Sequence, residues 1–169
     1  MKKLKTLFST LAIFASIALV SCEKINYADV GEPISLQENI KGTWKVNSAT
    51  QIDNDAVNKN FPLEVQKLDL TTKFPYNTVV FAFNGESTGN YTITNPAGAP
   101  LFFPLTGTWS LDGTKNGPLR VKLVSGAQTA FLDFAKAYRA SENKLSLKFS
   151  RADSEGKVFL SYEFNFNRN

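Results

Sequence analysis

Histidine is absent from this chain of 169 residues, and cysteine occurs only once, as Cys22. Without histidine the chain cannot form a Ser-His-Asp or Cys-His hydrolytic site, nor a histidine-ligated zinc or iron site. A lone cysteine likewise excludes an internal disulfide bond and a site built from several thiolates. Asp53-Asn54-Asp55 lacks the glycine and the distal glutamate of a calcium-binding EF-hand loop. The sequence therefore predicts that the protein is not an enzyme and needs no metal and no cofactor.

An excess of basic residues is also lacking once the start of the chain is set aside. The sequence has 19 basic and 15 acidic residues, but Lys2, Lys3 and Lys5 precede an apolar run from Leu7 to Val20. A cationic start followed by a short apolar run is typical of a secretory signal peptide. Removal of residues 1–21 leaves 16 basic residues against 15 acidic ones, so we expect no nucleic-acid partner.

The end of the apolar run, Leu19-Val20-Ser21-Cys22, resembles the lipobox of bacterial lipoproteins. The resemblance implies that acyl chains such as palmitate are attached at Cys22, which becomes the first residue of the mature protein. We therefore predict a lipoprotein anchored to a membrane through Cys22. The expected location is the outer membrane, on its periplasmic face or at the cell surface, because Glu23 is not the aspartate linked to inner-membrane retention.

The mature part of the chain is predicted to be a tether followed by one domain. Residues 22–38 are polar and without a period, which indicates a lipidated flexible tether, with a helical turn over residues 36–40. Residues 39–169 are numerous enough for a single domain with a hydrophobic core. From Gly42 onward apolar and polar residues alternate in short runs, and turn pairs such as Asn84-Gly85 and Asp112-Gly113 separate the runs.

The alternation predicts eight antiparallel strands, with a bulge or bend near Asp133 and no assigned element in residues 51–77. An eight-stranded meander closes into a barrel without free edges, so we predict an all-β, eight-stranded antiparallel up-and-down barrel. A two-sheet β-sandwich is the alternative. The predicted strands span residues 43–50, 78–84, 89–95, 105–111, 119–124, 128–140, 144–151 and 157–167.

Three short motifs carry a family resemblance over residues 39–169. Gly42-Thr43-Trp44 is similar to the Gly-x-Trp that begins lipocalin barrels, and it is followed by Gly89-Asn90-Tyr91-Thr92 and Gly107-Thr108-Trp109. Together they resemble the lipocalin-like lipoproteins of Bacteroidetes, a largely uncharacterised domain family with paired Gly-Thr-Trp motifs. The resemblance implies a lipocalin-like barrel in which an arginine packs on Trp44. The candidate arginines are Arg168, Arg151 and Arg139.

Two groups of side chains are candidates for binding a ligand or a partner. Trp44 and Trp109 either offer stacking surface inside a ligand cavity or fill the core. The proline-stiffened loop over residues 96–104 contains Leu101, Phe102 and Phe103, and it either exposes a binding patch or closes one end of the barrel. For an exposed patch we expect at least one of Phe102 and Phe103 to be exposed. Replacing both by serine should then leave stability nearly unchanged.

The resemblance implies a non-catalytic, lipid-anchored binding module of the cell envelope for a small apolar or amphipathic ligand. The alternative is an accessory or interaction subunit of an envelope complex, with a filled barrel and no small-molecule ligand. Fourteen phenylalanines favour a filled interior, because an eight-stranded barrel has little more room than its side chains need. The expected partners are therefore the membrane, through the acyl anchor at Cys22, and either an envelope protein or a small apolar ligand.

Overall fold

A computed structural model describes residues 36–85, 89–113, 119–138 and 140–169, and nine antiparallel β-strands account for most of them. Cys22, the predicted signal peptide and most of the predicted tether lie outside the described residues, as does Arg139. The strands are β1 (Gly42–Asp53), β2 (Lys67–Asp69), β3 (Val80–Phe83), β4 (Gly89–Thr94), β5 (Thr106–Asp112), β6 (Arg120–Ser125), β7 (Gln128–Phe134), β8 (Lys144–Ala152) and β9 (Val158–Arg168). The described helices are α1 (Leu36–Ile40), α2 (Asn54–Asn58) and α3 (Leu63–Gln66), with 3-10 turns at Tyr76–Thr78 and Ala140–Glu142.

Eight of these strands close into a barrel. Each of β3 to β8 pairs with the next strand in the chain, and β1 pairs with both β3 and β9. The short strand β2 lies outside this circuit and pairs with residues 50–52 of β1. The eight-stranded up-and-down barrel is therefore confirmed, and the alternative two-sheet sandwich is wrong.

The barrel has two different ends. We call the end at which α1 precedes β1 the base; the turn from β3 to β4 and the end of β9 lie there too. The opposite end, called the loop end, carries residues 54–79 after β1, residues 95–105 between β4 and β5, and the tight turns that follow β6 and β8. The loop end therefore holds most of the irregular chain.

Side-chain alternation places the core where the sequence predicts it, with local exceptions. Val121, Leu123, Leu145, Leu147 and Phe164 are buried, and Leu160 packs against them while partly exposed. Strand β7 ends at Phe134 instead of residue 140, and Ala135 still donates a backbone hydrogen bond to Ser146 of β8. Leu119 precedes β6 and is exposed, so its apolar character does not mark an inward position.

Residues 51–77, for which the sequence predicts no element, contain the end of β1, the helices α2 and α3, and β2. The side chain of Asp53 accepts a hydrogen bond from the backbone N–H of Ala56 and so caps α2. Asn54 donates to the hydroxyl of Ser161, which is 1 % exposed on β9. Helix α2 therefore covers part of the outer face of the barrel beside the loop end.

Candidate functional site

The first candidate, Trp44, is part of the packing at the base. Its side chain is fully buried, and its indole Nε1 donates to the carbonyl of Ile40 at 2.7 Å. Arg168 lies over its ring and also donates to the carbonyl oxygen of Asn39. The hydroxyl of Tyr138 donates to the same carbonyl, and the Tyr138 ring meets Trp44 edge-on. Burial raises the pKa of Tyr138, so this hydroxyl stays a donor.

The second candidate, Trp109, is also buried, and close glycine contacts explain its motif. Its Nε1 donates to the carbonyl of Asn84 at 3.0 Å. A Cβ on Gly89 would lie 1.7 Å from that carbonyl oxygen and 2.6 Å from the indole nitrogen. A Cβ on Gly107 would lie 2.0 Å from the carbonyl oxygen of Val124, at a φ of +157°. Gly89 therefore allows close packing against Trp109, and Gly107 allows close packing against the backbone of β6.

Aromatic side chains fill the middle of the barrel. Phe81 is fully buried, and its ring centroid lies 4.9 Å from that of Phe166 and 5.9 Å from that of Phe103. Phe164 contacts Phe103 at 6.0 Å and Tyr76 at 5.8 Å. These rings come from different strands and from both loop-end segments, so side chains occupy the space in which a lipocalin would hold its ligand.

The two phenylalanines of the loop over residues 96–104 differ in their exposure to solvent. Phe103 is 7 % exposed and points into the barrel, whereas Phe102 is 40 % exposed. The expectation that at least one of them is exposed is confirmed. The expectation that replacing both leaves stability unchanged does not fit the buried Phe103, since its loss opens a cavity. The loop over residues 96–104, here called the plug loop, therefore closes the end of the barrel with Phe103 and exposes Phe102 to solvent.

Hydrogen bonds fix this loop against the rest of the loop end. The hydroxyl of Tyr76 donates to the carbonyl of Pro100 at 2.6 Å, and the hydroxyl of Tyr91 donates to that of Pro104 at 3.0 Å. Asn95 pairs with both backbone groups of Ala99. Burial raises the pKa of Tyr76 to about 12, so its hydroxyl remains protonated and bonded at any physiological pH.

Phe102 lies on an aromatic rim with a cation beside it. Its ring centroid is 4.4 Å from that of Tyr162 and 6.4 Å from that of Phe149. The guanidinium carbon of Arg151 lies 5.7 Å from the ring of Phe102 and 5.7 Å from that of Phe159. Within the described ranges no carboxylate forms an ion pair with Arg151.

A groove of about 450 Å³ borders this rim. Its lining comes from the plug loop, from the beginning of β7 and from β8, namely Leu101, Phe102, Phe103, Pro104, Gln128, Thr129, Ala130 and Phe149. The groove contains all three loop residues that the sequence singles out, and neither tryptophan. The sequence did not indicate the contribution of residues 128–130, which read as an ordinary strand.

Exposed apolar side chains are concentrated at the same end. Ten large apolar side chains of the described residues are exposed, and Leu119 is the one that lies at the base. We call the other nine the loop-end apolar surface; they are Phe61, Leu63, Val65, Leu68, Phe74, Phe102, Leu105, Val158 and Phe159. Leu63 is the most exposed of them, at 66 %.

A cluster of ion pairs joins helix α2 to the turn between β8 and β9, next to this surface. Lys157, in the turn between β8 and β9, bonds Asp55 of α2 at 2.7 Å, and Lys59 bonds the other oxygen of the same carboxylate at 3.0 Å. These bonds, that of Lys157 first, lower the pKa of Asp55 from 3.8 to about 2. No group of three or more potential metal-ligating acidic, histidine or cysteine side chains occurs among the described residues. Nor do they include a helix long and apolar enough to cross a membrane.

The closed barrel, the capping helix at its base and the arginine over the first tryptophan define a lipocalin-like barrel whose interior is filled by its own side chains. Residues 22–167 match the model of a family described as a domain of unknown function, DUF5004, and the chain belongs to this family. No curated protein and no solved structure matches the chain.

Proposed function

We propose that the protein is a lipid-anchored, non-catalytic interaction module of the cell envelope, an accessory subunit that uses the barrel as a rigid platform for its loop end. The observation that carries this proposal is the contrast between the two parts of the molecule. Ring contacts fill the interior, while the loop-end apolar surface is exposed. Apolar side chains at the surface cost solubility, and a protein partner that covers them offsets this cost.

The lipid anchor at Cys22 is part of the proposal. The family match begins at residue 22, which is where the predicted signal peptide would be removed, and this agreement supports the lipobox interpretation. Several acyl chains hold a protein durably, because each buried CH₂ contributes about 0.8 kcal/mol. We place the protein in the outer membrane, and among the lipocalin-like lipoproteins of Bacteroidetes that its motifs resemble.

A crosslinking experiment in the native cell tests the interaction. A photoreactive phenylalanine analogue is placed at Leu63, at Phe102 or, as a matched exposed control at the base, at Leu119. We expect adducts of discrete mass from Leu63 and Phe102 and none from Leu119. Equal adducts from all three positions, or none from any, would contradict the proposal. Cys22→Ala tests the anchor separately, because this variant should incorporate no labelled acyl chain and should keep the size of the precursor.

A second candidate function is capture of a small apolar or amphipathic molecule. The groove of about 450 Å³ favours it, since this volume lies within the range of small-molecule sites. Such a ligand would bind at the rim and not in the lumen. Titration with dodecanoate, followed by isothermal titration calorimetry, tests this candidate, because both tryptophans are buried outside the groove and would not report on it. Saturable binding that Ala130→Leu abolishes would support it.

A further inference from the structure

Strands β7 and β8 part before they reach the loop end. Their pairing runs from Phe134 with Leu147 through Asp133 with Lys148 to Leu132 with Phe149, and it stops there on the side of the loop end. Both strands continue beyond this point with their other neighbours. Residues 128–131 stay paired with β6, and residues 150–152 stay paired with β9. We call the opening between residues 128–131 and residues 150–152 the seam.

The groove described above lies along the seam. Gln128, Thr129 and Ala130 line it from β7, and Phe149 lines it from β8. Phe103 closes it from the inside, because this ring contacts both Phe149 and Phe164. No backbone hydrogen bond of the described chain joins residues 101–104 to the β7 side of the seam. The plug loop therefore supplies an apolar floor but does not take the place of a strand.

The seam presents the backbone groups that an additional β-strand would pair with. Backbone N–H and C=O groups at a strand edge are a template for another extended chain. The apolar floor formed by Phe103, Ala130 and Phe149 would accept every second side chain of such a segment. Four extended residues span about 13 Å, which matches the four residues of β7 that β8 leaves unpaired.

The charge beside the seam selects among extended segments. Arg151 belongs to the β8 side of the seam, and it is exposed. Arg120, by contrast, is bonded to Asp112 at 2.9 Å, and Arg168 is bonded to backbone carbonyls at the base. Among the arginines that the structure describes, Arg151 is therefore the one whose guanidinium is available to pair with an acidic residue of a partner.

We propose that the seam binds an extended peptide segment of a protein partner, which adds a strand between β7 and β8. The segment has apolar side chains at alternate positions and an acidic residue that meets Arg151. This inference deepens the proposed function, on which it rests, by naming the kind of partner segment. A small amphipathic anion or a second copy of this chain is the alternative occupant that the experiment must separate.

The test pans a random heptapeptide library against the immobilised full chain and measures amide hydrogen exchange. We expect enrichment of peptides with alternating apolar residues and at least one acidic residue. The enriched peptide should slow exchange of those amides in residues 128–131 and 150–152 that face the seam by about tenfold or more, because the peptide supplies their hydrogen-bond partners. The same peptide with alternate amides N-methylated should bind at least about tenfold more weakly, because it lacks donors for one edge.

Matched variants localise the effect. Ala130→Leu fills the floor of the groove and should abolish peptide binding, whereas Ala82→Leu adds the same bulk to a fully paired part of the sheet and should not. Arg151→Gln should weaken binding several-fold, and Lys45→Gln, at an exposed position of β1 near the base, should leave it unchanged. If Ala130→Leu fails to fold, the exchange pattern of the unmodified chain still decides the matter.

Several outcomes would overturn the inference. They are the absence of any enriched peptide, protection of amides elsewhere, equal binding of the N-methylated peptide, and protection of the seam by self-association of the free chain. Saturable dodecanoate binding that Ala130→Leu abolishes, without enrichment of any peptide, would assign the groove to a small amphipathic anion instead. Loop-end crosslinks in the cell without protection of the seam would reject this inference and leave the proposed function standing.

Discussion

The guanidinium carbon of Arg168 lies 5.0 Å from the ring centroid of Trp44, so the penultimate residue of the chain packs on the tryptophan that begins the first strand. The same guanidinium donates to the carbonyls of Asn39 and Lys41. Of the three candidate arginines, Arg168 thus fills the role that the lipocalin resemblance implies, whereas Arg151 lies at the other end of the barrel. The contact ties together the helix at the base, the first strand and the last strand.

Arg168→Gln should therefore destabilise the barrel. It removes a cation over an indole and two charge-assisted hydrogen bonds at a partly exposed site, which together contribute about 1–2 kcal/mol. Urea unfolding followed by tryptophan fluorescence measures the change. Arg151→Gln is the matched control, and we expect it to lie within about 0.5 kcal/mol of the unmodified protein. Equal losses from the two variants would show that the arginine over Trp44 does not close the base.

Substitution of two neighbouring residues of β8 by alanine should change the stability by very different amounts. Leu147 is fully buried, so Leu147→Ala should cost about 2–5 kcal/mol through lost burial and a residual cavity. Lys148 lies on the opposite side of the strand, and Lys148→Ala should change stability by no more than about 0.5 kcal/mol. Chemical unfolding of both variants checks this pair. Similar losses would mean that the register of β8 is wrong.

The plug loop offers a pair of adjacent rings with different expected effects. Phe103→Ser exposes a cavity beneath the rim and should cost about 3–5 kcal/mol. Phe102→Ser removes a ring that is 40 % exposed and should cost much less, while it weakens crosslinking or peptide binding at the loop end. Thermal unfolding together with the crosslinking yield separates the two roles. A large loss of stability from Phe102→Ser would make both residues structural.

Tyr76→Phe should lower stability by about 1–3 kcal/mol, because it leaves the Pro100 carbonyl without its donor. Tyr162→Phe is the control, since its hydroxyl has no hydrogen-bond partner among the described residues. The raised pKa of Tyr76 also predicts that its phenol titrates near pH 12 in the folded state. The folded form is thus favoured below the ordinary pKa of 10, and this contribution is lost as pH rises toward 12. Ultraviolet absorbance at alkaline pH, compared between the two variants, measures it.

Acid should weaken the link between α2 and the turn after β8. The pKa of Asp55 is lowered from 3.8 to about 2, so its bonds to Lys157 and Lys59 favour the folded state at neutral pH. That contribution is complete above the unfolded pKa and is lost as pH falls from about 4 to about 2. Asp55→Asn should therefore be slightly less stable than the unmodified protein at pH 7 and equally stable near pH 2. A difference that does not change with pH would contradict the assignment.

Much of the barrel can be predicted from the sequence because its strands are long enough to show alternation. The final strand, Val158–Arg168, carries its inward aromatic residues two apart, and one register satisfies them all. Residues 54–79 resist prediction for the opposite reason. Helix α3 has four residues, with Leu63 and Val65 both exposed, and β2 has three residues, so no period develops.

Only part of the candidate site, the loop over residues 96–104, could be predicted from the sequence. The prolines around Leu101, Phe102 and Phe103 marked the loop, but the division between a buried Phe103 and an exposed Phe102 depends on packing against Phe149 and Phe164. The seam could not be predicted, because the interrupted pattern of this segment indicated a bulge or bend near Asp133. The pairing instead runs through Asp133 without a register shift, and the contact with β8 ends at Leu132. Pairing is a property of two strands together, and no single run of residues encodes where it stops.

The pairing of β1 with β9 has a consequence for how the chain folds. The first and last strands join residues such as Trp44 and Arg168, so the circuit has two open edges until the end of the chain is available. Such distant contacts form slowly, because a long loop must close before they stabilise anything. The barrel thus stays an unclosed sheet until β9 is available to pair with β1. A chain truncated before β9 would be not a smaller barrel but a sheet with two adhesive edges, prone to join its own copies.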